Sequence, residues 1–331
     1  MAREERLKGE ESIVQGFLRP LAAGWPGAFG LSDDCAAVAP APGHELIVKT
    51  DPIRAGVHFF DDDDAGDIAW KALAVNVSDL AAKAARPLAY TLAMSFPEAP
   101  TTGWMRSFAA GLEQAQEAFG CHLVGGDTDR APGPMTLAVT VFGEERCGRM
   151  VQRSTCRAGD DVFVSGTLGD AALGLQVRHD QAPQVLSQEQ RGHVLQRFLR
   201  PQPRLGLRAA LRAYATAAMD LSDGLAKDLG RMCRAAQFGA RIELASIPLS
   251  DAVRTACDAK ADSLKEMISS GDDYEILATV DPGSSDQFAT LARAGGISVA
   301  RIGKIRTDPE MILVDESGHK TDWGTLGYDH F

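Results

Sequence analysis

Five stretches of the chain end an apolar run on aspartate: LSDD at Ser32–Asp34, KTD at Lys49–Asp51, SDL around Asp79, GGDTD at Gly125–Asp129 and DLSDG at Asp220–Gly224. Taken singly, an acid at such a place most often caps a helix or makes a turn. Five of them support a sharper expectation, that they converge. Carboxylates sharing one site raise each other's pKa and stay ionised together only with cations among them. Hard oxygen donors in that number suit magnesium or calcium rather than zinc. The chemistry to expect is the handling of a polyanion through divalent ions.

The elements that must position these acids read as alternating strands and helices. Glu11–Leu18 reads as a short helix and Leu46–Thr50 as a strand that Asp51-Pro52 ends, since the residue before proline is held extended. Asp67–Ala85 has the length and alanine content of a buried helix, stopped by Arg86-Pro87. On it Asn76, Asp79 and Lys83 share one side, a narrow polar stripe on an apolar rod that predicts a view into a polar cleft. Pro87–Phe96 reads as a strand, Trp104–Phe119 as a helix closed by Gly120, and Cys121–Val124 as a short strand ending at GGDTD. The weak alternation of Met135–Gly143 suits a strand covered on both faces.

A boundary near Cys147–Val151 divides an N-terminal domain, 1–149, from a C-terminal one, 150–331. In the latter, strand Asp161–Ser165 feeds Gly166-Thr167-Leu168-Gly169 and the helix Asp170–Arg178. Such a turn either offers its amides to a phosphate or is simply tight. Helices at Gln188–Leu199, Arg204–Ala213 and Leu225–Gln237 follow, with strands at Ala215–Met219, Ala240–Leu244, Tyr274–Val280 and Ile297–Ile302. The fold class is α/β, and this half forms a layered domain.

Composition narrows the function. A chain of 331 residues exceeds what one core normally serves, which implies two domains. Lys and Arg total 34 against 45 Asp and Glu, a net charge of -11 that argues against a nucleic-acid surface. The six cysteines, at 35, 121, 147, 156, 233 and 257, form no CxxC pair and read as reduced core thiols. The start MAREERLKGEE lacks the apolar stretch of a signal peptide, and no run of about 18 apolar residues occurs, so a cytoplasmic protein away from membranes is expected. The P-loop, GxGxxG, HRD, DFG and EF-hand patterns are absent. A nucleotide would have to be gripped by metal on scattered aspartates and by glycine turns.

The segments SDDCAAV, KTDPIRAGVHF, KALAVNVSDLAAKAARP, GGDTDRAPGPMTLAVTVFGE, QRSTCRAGDDVFVSGTLGDAALGL, RPQPR, MDLSDGLAKDLG, SGDDYEI and WGTLGYDHF carry a resemblance in their order and spacing. From about residue 27 to the end, the chain resembles the thiamine-monophosphate kinase family of the aminoimidazole-ribonucleotide-synthetase-like superfamily. The resemblance implies phosphorylation of thiamine monophosphate to thiamine diphosphate by ATP with several Mg2+ ions. It also implies a two-domain fold whose N-terminal sheet pairs across a homodimer into a barrel, with the active cleft between the domains. Asp34, Thr50, Asp51, Asp79, Asp127, Asp220 and Asp223 fall on the family's metal positions, Asp51 and Asp127 being the catalytic ones. Gly126, Asp127, Arg153 and Ser222 fall on ATP positions, and His58, Asp272 and Tyr328 on substrate positions. This chain departs from the family at Lys49, where Ser or Thr is usual, and at Ser32, Asp129 and Ser270.

The implied reaction suits the residues. A phosphate monoester has its second pKa at about 6, so the attacking oxygen is already largely deprotonated at neutral pH and no general base is needed. Repulsion between two polyanions is the obstacle, which many carboxylates holding cations address and a catalytic dyad would not. Arg153 is suited to neutralise ATP phosphate, and His58 to position substrate. Two other classes stay open: another ATP-using enzyme of the superfamily with a different acceptor, and a non-catalytic nucleotide- or ion-binding module.

Overall fold

A computed structural model describes residues 6–260, 263–315, 317–323 and 327. The chain separates into two units, Met1–Leu80 with Ala85–Gly148, and Ala81–Ala84 with Arg149–Phe331. Together they form a mixed α/β architecture.

The first unit is an open four-stranded sheet backed by helices. Its strands are β1 (His44–Arg54), β2 (Arg86–Phe96), β3 (His122–Arg130) and β4 (Thr136–Arg146), in the order β1-β4-β2-β3. A short helix, α1 (Glu10–Ile13), runs into a π-helical turn at Val14–Leu18, and α2 (Ala65–Ala82) and α3 (Thr102–Phe119) follow. The predicted strand end at Asp51-Pro52 does not occur. β1 runs on to Arg54, because it is an edge strand, paired on one side only, where proline is tolerated. β3 likewise runs through GGDTD.

Helix α2 is buried almost all round, with Ile68, Ala69, Leu73, Val77 and Leu80 at 0–1% exposure. Each large side chain so buried contributes about 1.5–3 kcal/mol, which is why an alanine-rich segment holds as a rod. Helix α3 starts on the Thr101 cap, which accepts the Trp104 amide, and ends at Gly120. In β4 buried and half-buried residues alternate, so one sheet face lies under helices while the other is only partly covered. That corrects the expectation of full cover on both faces: Leu80 of α2 lies against Gly143 on one, while the 3-10 helical turns that carry Ala22 and Ala28 reach only part of the other, at Phe142.

The second unit is a seven-stranded sheet in the order β11-β10-β7-β9-β5-β8-β6. Its strands are β5 (Asp161–Ser165), β6 (Ala215–Leu221), β7 (Gly239–Glu243), β8 (Glu275–Val280), β9 (Val299–Arg306), β10 (Met311–Val314) and β11 (Lys320–Thr321). Helices α4 (Asp170–Arg178), α5 (Gln188–Leu199), α6 (Arg208–Tyr214), α7 (Leu225–Ala236), α8 (Asp251–Ala259), α9 (Ser263–Ser269) and α10 (Ser285–Ala294) surround it. Alternate strand residues feed two cores. Val162, Val164, Met219 and Leu221 pack with α7, whereas Phe163, Ala218, Ile276 and Val280 pack with α6 and α10. Both sheet faces are thus dry, and β5 and β8 are buried throughout.

All six cysteines are free; Cys121, Cys156 and Cys233 are buried, but Cys35 and Cys147 are exposed rather than core thiols. No helix among the described residues is long and apolar enough to cross a membrane.

Candidate functional site

In the first unit the KTD segment and the polar stripe of α2 meet. Strand alternation turns Lys49 and Asp51 to one face. There the Lys49 ammonium lies 2.9 Å from an Asp51 carboxylate oxygen and 2.8 Å from one of Asp79. Burial pulls the Lys49 pKa down, but the charges and hydrogen bonds of Asp79 and Asp51 outweigh it and hold the group above the ordinary lysine value. Asn76, fully buried, fixes the strand beneath this cluster. Its Oδ1 accepts the Asp51 N–H at 2.8 Å, and its Nδ2 donates to the carbonyls of Asp51 at 3.3 Å and Ala72 at 3.1 Å. A side-chain amide thereby takes the place of a neighbouring strand on the outer edge of β1.

Other predicted residues of this unit are not in that cluster. Thr50 points to the opposite face, where its hydroxyl donates to the Val139 carbonyl at 3.2 Å and accepts from Thr140 at 3.0 Å. The register runs from Asp51 through Val139 and Leu92 to Gly126, with Asp127 one residue further along β3. Three strand spacings separate the edge strands, roughly 14 Å along the sheet. Gly126 is required by a close approach: an added Cβ would fall 1.9 Å from the Leu92 carbonyl oxygen. Asp127 and Asp34 are exposed, and Asp127 Oδ1 accepts the Thr128 N–H at 2.9 Å. His58 sits in the turn closing β1. Its Nδ1 accepts the Arg54 N–H at 3.1 Å, which leaves Nε2 as the proton-bearing nitrogen of the neutral ring.

In the second unit DLSDG and SGDDYE are laced together. The Asp272 amide donates to Ser222 O and the Tyr274 amide to Leu221 O, both at 2.9 Å. Predicted ATP, metal and substrate positions Ser222, Asp223 and Asp272 therefore share one pair of turns. Asp272 and Tyr274 both have positive φ, 63° and 49°, a strain this lacing sustains. Asp223 is paired with Arg231 at 2.5 Å and Lys227 at 3.5 Å. Asp220 is buried at the end of β6. Arg153 is exposed in the segment before β5. Lys83, the last of the predicted stripe, donates to the Ala218 carbonyl at 2.7 Å and so serves this unit. Tyr328 lies outside the described residues.

The supports of these turns were not singled out from the sequence. Asp228, fully buried, accepts the amides of Ser222 at 3.1 Å and Asp223 at 2.9 Å and pairs with Arg231 at 2.9 Å. Burial above all pushes its pKa up to about 6. Asp273, next to the predicted Asp272, turns inward. It accepts the amides of Gly169 and Ala171, and burial pushes its pKa up to about 8. The Gly166–Gly169 turn is thus no phosphate seat, because a carboxylate of the chain already fills the amides that an anion would use. Gly166 itself is dictated by packing: its φ is +57° and an added Cβ would lie 2.3 Å from the Glu275 carboxylate. Glu275, wholly buried, binds Arg197 at 2.8 Å, the Ser165 hydroxyl at 2.6 Å and the Arg204 guanidinium of the RPQPR segment. A glutamate opening the apolar run EILATV was the available signal, since buried charges are paired.

Among the described residues no three His, Cys, Asp or Glu side chains are gathered closely enough to hold a metal ion. Asp51, Asp79 and Asp223 instead meet lysines and arginines of the chain.

Residues 32–144 match the AIR synthase related protein N-terminal domain, and residues 157–316 its C-terminal domain. The chain is 36% identical over 320 residues to the thiamine-monophosphate kinase of Caulobacter vibrioides, covering 96% of this chain and 89% of the relative. The chain belongs to the thiamine-monophosphate kinase family. The crystal structure of the family's enzyme from Stenotrophomonas maltophilia K279a superimposes with a TM-score of 0.84 at 34% identity, over 96% of this chain and all of that one. Another thiamine-monophosphate kinase structure, AaThiL complexed with AMPPCP and TMP, gives a TM-score of 0.77 at 28% identity, over 92% and 97% of the two chains.

Proposed function

We propose that this enzyme transfers the terminal phosphoryl group of ATP to the phosphate oxygen of thiamine monophosphate by direct in-line displacement, giving ADP and thiamine diphosphate. The observation that carries the reading is the likeness, over nine-tenths of the chain, to a relative complexed with AMPPCP, an ATP analogue, and TMP. The acceptor arrives as a dianion, so the residues have positions to hold and charges to balance, and no proton to remove.

The carboxylates of Asp34 and Asp127 in the first unit and Asp220 in the second are hard donors that fit magnesium and would hold the ions, whereas Asp223 already meets Arg231 and Lys227. Bound magnesium supplies neutralisation of phosphate oxygens, which lets two anions approach. The Asp51–Asp79 pair does not fit an ion between its members as it is folded, since Lys49 stands there. Thr50, whose hydroxyl is bonded within the sheet, is left out of the set. Gly126, Asp127, Arg153 and Ser222 are assigned to ATP, and His58, Asp272 and Tyr328 to the thiamine phosphate. Asp228 and Asp273 position these turns without touching substrate.

A homodimer accords with the open sheet. Its partly covered face and edge leave Leu46 and Val48 at 36% and 57% exposure, and a second copy would close the sheets into a barrel. The net charge of -11 argues against nucleic acid as a partner.

An ADP-release assay with thiamine monophosphate, thiamine and a formylglycinamidine-type amide tests the reading, with the product identified by phosphorus NMR. ADP formed only with thiamine monophosphate, together with a diphosphate signal, is expected. Turnover with the amide instead would move the chain to another branch of the superfamily, and tight nucleotide binding without any turnover would make it a binding module.

A further inference from the structure

The cluster of Lys49, Asp51 and Asp79 carries a consequence for how many ions the enzyme uses. Its three side chains are 32%, 48% and 25% exposed, so the cluster is open enough for a hydrated cation to reach. The space between the two carboxylates is nevertheless held by an ammonium that donates to both. Magnesium requires oxygens at about 2.0–2.1 Å, shorter than either N···O distance, so an ion and the ammonium cannot occupy that point together. Neither carboxylate is placed there loosely. Asp51 is pinned through both its N–H and its C=O by Asn76, and Asp79 follows Asn76 by one turn on the same rigid helix.

We propose that Lys49 is a resident cation that replaces one divalent ion between Asp51 and Asp79, so that this chain uses one fewer ion than it would with a small hydroxyl residue at that position. The ammonium leaves the cluster with a formal charge of -1, against 0 for the same carboxylates around a divalent ion. The pair thus keeps part of its attraction for magnesium arriving on the nucleotide, but needs none of its own. This rests on the magnesium-assisted reading above.

Counting bound Mn2+ per chain by electron paramagnetic resonance, with AMPPCP present, tests it without turnover. Lys49→Ser is expected to bind one more ion than the parent, and Lys49→Ser with Asp79→Asn to return to the parent count. Equal counts for the parent and Lys49→Ser, or an extra ion that survives Asp79→Asn, would overturn it. Asp79→Asn alone gives a second arm that does not depend on the Ser variant folding: an unchanged count supports the proposal, and loss of one ion refutes it. These counts are independent of the acceptor, so failure of the kinase assay with thiamine monophosphate would leave the two questions separable.

Discussion

Asp228 yields a test whose size follows from its surroundings. The carboxyl is fully buried, and its pKa rises from the ordinary 3.8 to about 6, first through burial and further through the charge of Asp223. A folded-state pKa above the unfolded one means that the native protein binds the proton more tightly. The contribution of this group is therefore favourable at low pH and is lost as pH climbs from about 4 through about 6. The full loss is about 3 kcal/mol, of which about 1.4 kcal/mol falls between roughly pH 5 and pH 8. Asp228→Asn does not titrate, yet it keeps an oxygen for the amides of Ser222 and Asp223. Urea denaturation of parent and variant at both pH values gives the difference with other titrations subtracted. The variant should gain about 1.4 kcal/mol on the parent in going to the higher pH. A difference that stays constant within a few tenths of a kcal/mol would show that burial does not govern this carboxyl.

Glu275→Gln leaves the half-buried Arg197 and Arg204 against a neutral amide, and a loss of about 3–5 kcal/mol is expected. Calorimetry should register it as a Tm lower by roughly 6–20 °C. Gly126→Ala would press a methyl group onto the Leu92 carbonyl; a cost of about 1–3 kcal/mol in denaturation and weakened binding of an ATP analogue are expected. In steady-state kinetics Asp51→Asn should lower kcat by about 100-fold. His58→Ala should chiefly raise KM for thiamine monophosphate, by about tenfold. Equal losses of kcat in both variants would contradict these roles.

How far the sequence was legible depends on which forces act locally. Helices α4 and α5 and strand β5 follow from caps, glycines and apolar runs, and they have the bounds the sequence suggested. Strands β1 and β3 were cut short because proline and glycine signal turns locally, while edge position, a property of the whole sheet, decides whether they are tolerated. Sequence motifs also located the acids, and the lacing of DLSDG with SGDDYE shows that two of them meet. The counter-charges were not legible. Lys49 looked like a departure from a pattern, and Asp228 and Asp273 were not singled out. Asp273 reaches the Gly169 amide across 104 positions of sequence, for which no spacing rule exists, whereas Arg231 and Asp51 stand close in sequence to Asp228 and Lys49, where spacing alone does not say which acid is buried.

Asn76 has a further effect on assembly. By satisfying both main-chain groups of Asp51 from outside, it removes the only grip that an incoming extended chain would have at that point. A foreign strand sliding along β1 would lose its hydrogen-bonding register on reaching Asp51. A continuous ladder along the whole edge is thereby interrupted at Asp51, while the stretch from His44 to Val48 lies clear of that amide. One amide on a helix so withholds from any incoming strand the bonds it would make at Asp51.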